Sequence, residues 1–238
     1  MDLAKKLKHV SASVWDMDGC VYPYDKGFPQ TCNETAVHAL FHIIDKPLPD
    51  NMDEWAAKAK ASFMKTGSPV KDFSVDHDID FDQIDGVYHQ LLNVEMLVPE
   101  PDFAFHMASA IDGGHKTHLA THSHEFFTTR ALEVLGLSSV FQMQANVFTL
   151  NQHGFEHRKA ASPKMILDAV KRLEADPART IFVEDTIENF VPVKDTAPEI
   201  TTVLVARNGM PVTKPTEIDL IVPSATHLAK ALPRLALV

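Results

Sequence analysis

The chain has 238 residues, 45% hydrophobic and 23% charged, which is enough to bury a sizeable core in one large domain or two small ones. Its formal net charge of -10 argues against a sequence-blind attraction to nucleic acid polymers or acidic lipid, so a phosphate-bearing ligand would need a local positive centre. Cys20 and Cys32 make no disulfide framework or zinc knuckle, and no stretch reaches the roughly 18 apolar residues of a membrane span.

The first buried strand is predicted at Val10–Trp15. Residues 25–105 then turn helical, with patterns at Thr35–Ile44, Asp53–Met64 and Asp82–Leu92 and prolines marking loops at Pro47–Pro49 and Pro99–Pro101. Met and Phe in this stretch are expected in its own core. A second strand follows at Thr117–Thr121, then a helix at His124–Leu135 with Ser123 as its N-cap and Gly136 as its stop. The helix Pro163–Glu174 has Ser162 as N-cap and Pro163 at its first position. A strand at Thr180–Val183 leads to a helix capped by Thr186 and running to about Asp195, before strands at Thr201–Val205 and Leu220–Val222. This alternation predicts a doubly wound, Rossmann-like α/β core of parallel strands, formed by residues 1–24 and 106–238. Residues 25–105 would be a helical cap domain inserted after the first strand.

Chemistry-bearing residues fall at the strand ends, where ligands of open α/β sheets gather. Val14-Trp15-Asp16-Met17-Asp18-Gly19-Cys20 ends a strand in two acids, and Phe182-Val183-Glu184-Asp185 ends another. Either pair alone is as readily a turn or cap device. Two such pairs at one sheet edge repel, so a hard divalent cation is their natural partner, and oxygen-only ligands favour Mg2+ over zinc. Leu119-Ala120-Thr121-His122-Ser123 ends a strand in hydroxyls ahead of a helix, and Lys159 and Lys164 lie near the start of a later helix. Hydroxyls, helix N-termini and lysines suit phosphate oxygens. His115, His118, His122 and His124 cluster around the second strand and read as scattered, partly exposed side chains rather than a metal site.

An acid pair, a Thr, a Lys and a second acid pair, in that order, resemble the four motifs of the haloacid dehalogenase-like (HAD) hydrolase superfamily. Within it, Asp18-Gly19-Cys20-Val21-Tyr22-Pro23, the segment Thr66-Gly67-Ser68-Pro69-Val70-Lys71-Asp72-Phe73 and Phe182-Val183-Glu184-Asp185-Thr186-Ile187-Glu188-Asn189 are similar to the pyrimidine 5′-nucleotidase-like members. There are departures. Gly19-Cys20 stands where Thr or Asn-Thr is usual, Glu184 where Asp is commoner, and a gapless match puts Ala160 at the lysine position. Lys159 fits after a one-residue slip, and Lys164 fits less well.

The resemblance implies a Mg2+-dependent phosphomonoester hydrolase. Asp16 would be the nucleophile, Asp18 the acid and base, and Thr121 with Lys159 the groups that hold the phosphoryl oxygens. Asp16, Asp185, the backbone carbonyl of Asp18 and Glu184, directly or through water, would bind the metal. Gly19, His122, Lys71 and Lys164 complete the expected substrate contacts, with Lys71 and His77 flanking Phe73 as a place for a polar ring. The expected substrate is a small phosphorylated metabolite, a nucleoside 5′-monophosphate with a pyrimidine base first. The expected protein is cytoplasmic, a monomer or weak homodimer, with no membrane or nucleic acid partner. A phosphomutase or phosphotransferase on the same scaffold, or a non-catalytic binding protein of this fold, are the rival expectations.

Overall fold

The computed structural model describes residues 3–24, 27–207 and 214–232, so 25 and 26, the first two expected residues of the insert, lie outside the described residues. The strands are β1 (Ala12–Trp15), β2 (Lys116–Thr121), β3 (Val147–Thr149), β4 (Thr180–Glu184), β5 (Thr201–Val205) and β6 (Leu220–Val222). The helices in chain order are α1 (Leu3–Leu7), α2 (Phe28–Ile43), α3 (Met52–Thr66), α4 (Lys71–Asp76), α5 (Phe81–Leu91), α6 (Phe103–Asp112), α7 (Glu125–Val134), α8 (Leu150–His153), α9 (Lys164–Arg172), α10 (Val191–Thr196) and α11 (Ala225–Ala231). None of them is long and apolar enough to cross a membrane.

The chain divides into two compact units. The first comprises residues 1–23, 98–123 and 132–238, and the second residues 24–97 and 124–131. The expected second boundary, 105/106, thus falls earlier, and α6 belongs to the first unit. The start of α7 joins the second unit although it lies far from it in sequence.

The first unit is a parallel sheet in the order β3-β2-β1-β4-β5-β6, flanked by helices, which is the expected α/β Rossmann-like fold. Every residue of β1 and β4 is buried, which is why these strands read as continuous apolar runs without alternation. Val14, Ala120 and Phe182 point to one face, where Met165, Ile166, Ala169 and Val170 of α9 pack with Phe190 and Val193. The spacing of the α9 residues puts one apolar stripe on the sheet. This helix starts one residue later than expected, so Pro163 and not Ser162 holds the N-cap position, although Ser162 Oγ still accepts the Lys164 N–H at 3.2 Å. On the opposite face Trp15 meets Phe103 of α6 edge to face at 5.2 Å, and its indole N–H donates to Ser13 Oγ at 2.7 Å.

The second unit is helical. α2 begins seven residues before the expected Thr35, because Pro29 in its first turn is compatible with helix. α5 is capped by Asp80, whose side chain accepts the Gln83 N–H at 3.0 Å. Half-buried Trp55 packs against Phe41 at 5.2 Å and Phe73 at 5.8 Å. Phe63 and Met64 at the end of α3 are exposed, so not every Met and Phe of the insert is core.

β3 has no counterpart in the expectations. It is three residues long and lies at the sheet edge, too short to carry a periodic signal. Asn146 holds it in place. Its Oδ1 accepts the Gln142 N–H at 2.6 Å, and its Nδ2 donates to the Thr117 and Val140 carbonyls at 3.1 and 2.9 Å. Asn146→Ala removes all three bonds and is expected to destabilise the protein by about 1–3 kcal/mol, read from urea unfolding. An unchanged midpoint would mean that water replaces them at no cost.

Candidate active site

The sheet order reverses between β1 and β4, and ligands of open α/β sheets bind at the carboxyl ends of strands flanking such a point. Trp15 pairs with Leu119 of β2 and Val183 of β4. The next residue, Asp16, donates its N–H to the Val183 carbonyl at 2.9 Å. Register therefore delivers Asp16, Thr121 and Glu184 to the same edge from three adjacent strands.

Lys159 sits in a turn ahead of α9 and is 1% exposed. Its ammonium bonds Asp16 Oδ1, Glu184 Oε2 at 2.7 Å and the Ala120 carbonyl at 3.3 Å. Its backbone N–H donates to His122 Nε2 at 2.8 Å. Burial alone would depress the lysine, but the charges of Asp16 and Glu184 outweigh it and hold the ammonium above its ordinary range. His122 is pushed down to about 3 by burial, then by Lys159, and stays neutral, as an acceptor must. The expected substrate contact at His122 is thus a contact to the lysine backbone.

Glu184 is engaged on all sides. Oε1 accepts the N–H groups of Asp185 and Thr186 at 3.0 and 3.2 Å, and Oε2 accepts Asn189 Nδ2 at 2.9 Å as well as Lys159. This carboxylate, and not Thr186, satisfies the backbone after β4; Thr186 Oγ1 leans on Asp185 at 3.4 Å. A short 3-10 turn, Ile187–Phe190, precedes α10 where one longer helix was expected.

Asp16 is raised well above its ordinary value by burial and then by the Glu184 charge, with Asp185 and Asp18 adding and Lys159 opposing. Asp185 is pushed up to about 8 by burial and then by Glu184. One carboxylate oxygen from each of Asp16, Glu184 and Asp185 lies within 4.8 Å of the other two. Ligand oxygens of an octahedral Mg2+ stand about 3.0 Å apart when adjacent and about 4.2 Å when opposite, so these three oxygens are near enough to close on a small hard cation, and their mutual repulsion is what such an ion would relieve.

The second carboxylate of the first acid pair is held by hydroxyls. Tyr22 donates to Asp18 Oδ1 at 2.5 Å, while Ser123 and Thr121 donate to Oδ2 at 2.8 and 3.0 Å. Thr121 Oγ1 in turn accepts the Ser123 N–H at 3.0 Å. α7 starts at Glu125, two residues after Ser123, and His124 Nδ1 accepts the Phe126 N–H at 3.3 Å. Gly19 takes a φ of 77°, a conformation that suits glycine, and its carbonyl accepts Arg207 Nε at 2.8 Å. Arg207 also bonds the Cys20 carbonyl and Glu100 Oε2, while Glu100 Oε1 accepts the Thr226 N–H at 2.6 Å.

Other expected residues go elsewhere. The Lys164 ammonium lies on the surface against Asp168 at 2.5 Å, whereas Lys159 is the one buried with Asp16 and Glu184. Lys71 belongs to the second unit, with its ammonium 4.6 Å from the Phe81 ring centre. Phe73 is buried against Trp55, so it cannot offer a ring face to a ligand. His115, His118 and His124 are buried and not partly exposed. Burial pushes His115 and His118 each down to about 4; His115 Nε2 meets Ser13 Oγ at 2.9 Å, and His118 Nδ1 meets the Leu119 carbonyl at 2.8 Å. Tyr22, Asn189 and Arg207 are site residues that motif reading did not single out for a role. Of these, only Tyr22 had a usable signal, a phenol four residues after Asp18.

No curated protein matches the sequence. Among solved structures, a HAD phosphatase from Thermococcus onnurineus shares 19% identity at a TM-score of 0.63, over 93% of this chain and 97% of that one. A dehalogenase shares 15% at 0.56, over 92% and 95%. CbbY from Rhodobacter sphaeroides, solved in complex with phosphate, shares 15% at 0.59, over 92% and 96%. These likenesses establish the fold. The sequence itself matches the family of haloacid dehalogenase-like hydrolases over residues 10–190, a span that starts just before β1 and ends at the turn after β4, and the chain belongs to that family.

Proposed function

We propose that this hydrolase acts on phosphomonoesters, with Asp16 taking the phosphoryl group before water does. The observation that carries the reading is the placement of a second carboxylate, Asp18, beside Asp16 with its oxygens held by Tyr22, Ser123 and Thr121. An ester needs a proton for its departing alkoxide, and a carboxyl two residues from the nucleophile can supply one; a halide leaving group needs none.

In the first step an Asp16 oxygen forms a bond to phosphorus as the bond from phosphorus to the leaving oxygen breaks. The proton of the Asp18 carboxyl goes to that oxygen, and the product leaves as an alcohol. In the second step water attacks phosphorus and gives its proton to the Asp18 carboxylate. The Asp16–phosphorus bond breaks, which restores the carboxylate and frees inorganic phosphate. Lys159, in contact with Asp16 Oδ1, is in reach of oxygens on a group joined to that carboxylate, and the Thr121 hydroxyl serves the same oxygens. Asp16, Asp185 and Glu184, with the Asp18 carbonyl, would hold Mg2+, which supplies charge neutralisation and alignment of the phosphate. The helical unit would act as a cap that chooses the leaving group, and a nucleoside 5′-monophosphate with a pyrimidine base fits the resemblance of its Thr66–Phe73 segment. Lys71 remains a candidate contact in that unit.

Asp16→Asn is nearly isosteric and is expected to leave the fold intact while lowering turnover at least about a thousandfold, ~4 kcal/mol of barrier. Turnover within tenfold of the parent would exclude Asp16 as the nucleophile. Lys159→Ala is expected to cost about a hundredfold in kcat, whereas Lys164→Ala stays within about twofold, as steady-state kinetics will show. Chelation is expected to abolish activity, Mg2+ to restore it, and Asp185→Asn to raise the Mg2+ concentration needed; full activity in chelator would contradict the oxygen-ligand reading. A release assay for inorganic phosphate across UMP, CMP, glycerol phosphate and phosphoglycolate tests the substrate. UMP and CMP are expected to be cleaved fastest, and equal or slower cleavage would remove the nucleotide assignment while leaving the phosphohydrolase reading in place.

A further inference from the structure

Asp18 stands on a tight turn, and nothing covalent fixes its carboxyl group in the plane that proton transfer requires. A general acid displaced by about 0.5 Å or turned by 10–20° loses much of its effect, so such groups depend on the side chains that hold them. Here both oxygens are held, and on different terms. Oδ2 takes the hydroxyls of Thr121 and Ser123, and Oδ1 takes the phenol of Tyr22. Tyr22 and Thr121 are fully buried, and Ser123 is 7% exposed. Arg207 fixes the turn between Asp18 and Tyr22 by binding the carbonyls of Gly19 and Cys20.

Thr121 is claimed twice. Its one hydroxyl proton is spent on Asp18 in this structure, yet the proposed reaction asks it to serve a phosphoryl oxygen. Once it turns to the phosphate, Asp18 keeps Ser123 on Oδ2 and Tyr22 on Oδ1. Hydroxyls suit this task because an O–H can donate to a carboxylate and accept from a carboxylic acid, whereas an ammonium or backbone N–H can only donate. The same contacts can therefore persist through both halves of the cycle.

We infer that Tyr22 and Ser123 are positioning residues that aim the Asp18 carboxyl at the leaving oxygen. The inference rests on the phosphohydrolase reading and adds two residues to it. Its test uses leaving-group dependence, which a merely structural role would not move. The full-length protein with Mg2+ is assayed on p-nitrophenyl, phenyl and benzyl phosphate, which share a ring but differ in the basicity of the departing oxygen. The quantity compared is kcat/KM, which covers the steps up to departure of that group. In the parent enzyme it is expected to vary little, since Asp18 protonates the poor leaving groups. Tyr22→Phe is expected to lose at least about tenfold more on benzyl than on p-nitrophenyl phosphate. Ser123→Ala should move in the same direction by less, and it decides the matter alone if Tyr22→Phe does not fold. Equal losses across the three esters, or no loss, would overturn the inference. Asp18→Asn separates the two levels. If it steepens the dependence and the hydroxyl variants do not, the positioning role fails and the phosphohydrolase reading stands; if Asp18→Asn is also flat, the reading itself fails.

Discussion

The burial of negative charge at the carboxyl edge of the sheet is the constraint to which the rest of the first unit answers. Asp16 and Glu184 are nearly inaccessible to water, and removing ionised carboxylates from water is costly unless each is paired and hydrogen-bonded. Lys159 supplies the pairing, and its own ammonium is satisfied by Asp16, Glu184 and the Ala120 carbonyl. Glu184 collects two backbone N–H groups and the Asn189 amide besides. The compensation is partial. Asp185 and Asp16 remain raised, so the site is short of positive charge, and a hard cation among their oxygens would complete the balance.

Such a cluster keeps its geometry only on a rigid support. β1 lies inside the sheet between β2 and β4, so Asp16 is carried by a strand with neighbours on both sides. Trp15, just before it, is anchored by Ser13 and by the edge of Phe103. The turn after it is tied through Arg207 to Glu100, and Glu100 is tied to the N–H of Thr226 in the first turn of α11. His122 performs a similar service for the lysine. Its neutral ring accepts the Lys159 N–H, which fixes the backbone from which the ammonium reaches the carboxylates. The side chains gathered at this edge thus rest on bonds made by Ser13, His122, Arg207 and Glu100, none of which has a step in the proposed reaction.

The helical unit follows a different logic. It contains an aromatic cluster of Trp55, Phe41 and Phe73, and it also buries an acid and a histidine, Asp85 and His89, one helical turn apart at 3.3 Å. Packing of this kind consumes Phe73, whose position in the sequence suggested a ligand-facing ring. A large aromatic side chain contributes more by burying its area than by remaining exposed, and the fold takes that option here.

How much of this was legible in the sequence depends on the range over which each feature is decided. The α/β core, the strands that end in acids, and the position of Asp16, Asp18, Thr121, Glu184 and Asp185 at strand ends are local properties. Apolar runs with both faces covered announce themselves, and the residues that follow them fall at the sheet edge by register alone. β3 escaped because three residues carry no period, and Asn146 holds it through contacts that leave no trace in its own pattern. The choice between Lys159 and Lys164 was likewise open, since both precede or begin the same helix; only the turn ahead of α9 buries one and leaves the other against Asp168. Ser123 reads as a cap from its position ahead of a helix, and its bond to Asp18 is one that only the approach of that side chain from the turn after β1 could reveal. Tyr22, His122 and Arg207 acquire their roles in the same way, and the bonds of His122 and Arg207 reach residues far away in the chain. Local sequence determined which residues reach the sheet edge; tertiary structure alone decided which of them meet, because a hydrogen bond is made by proximity in space and carries no signature in spacing along the chain.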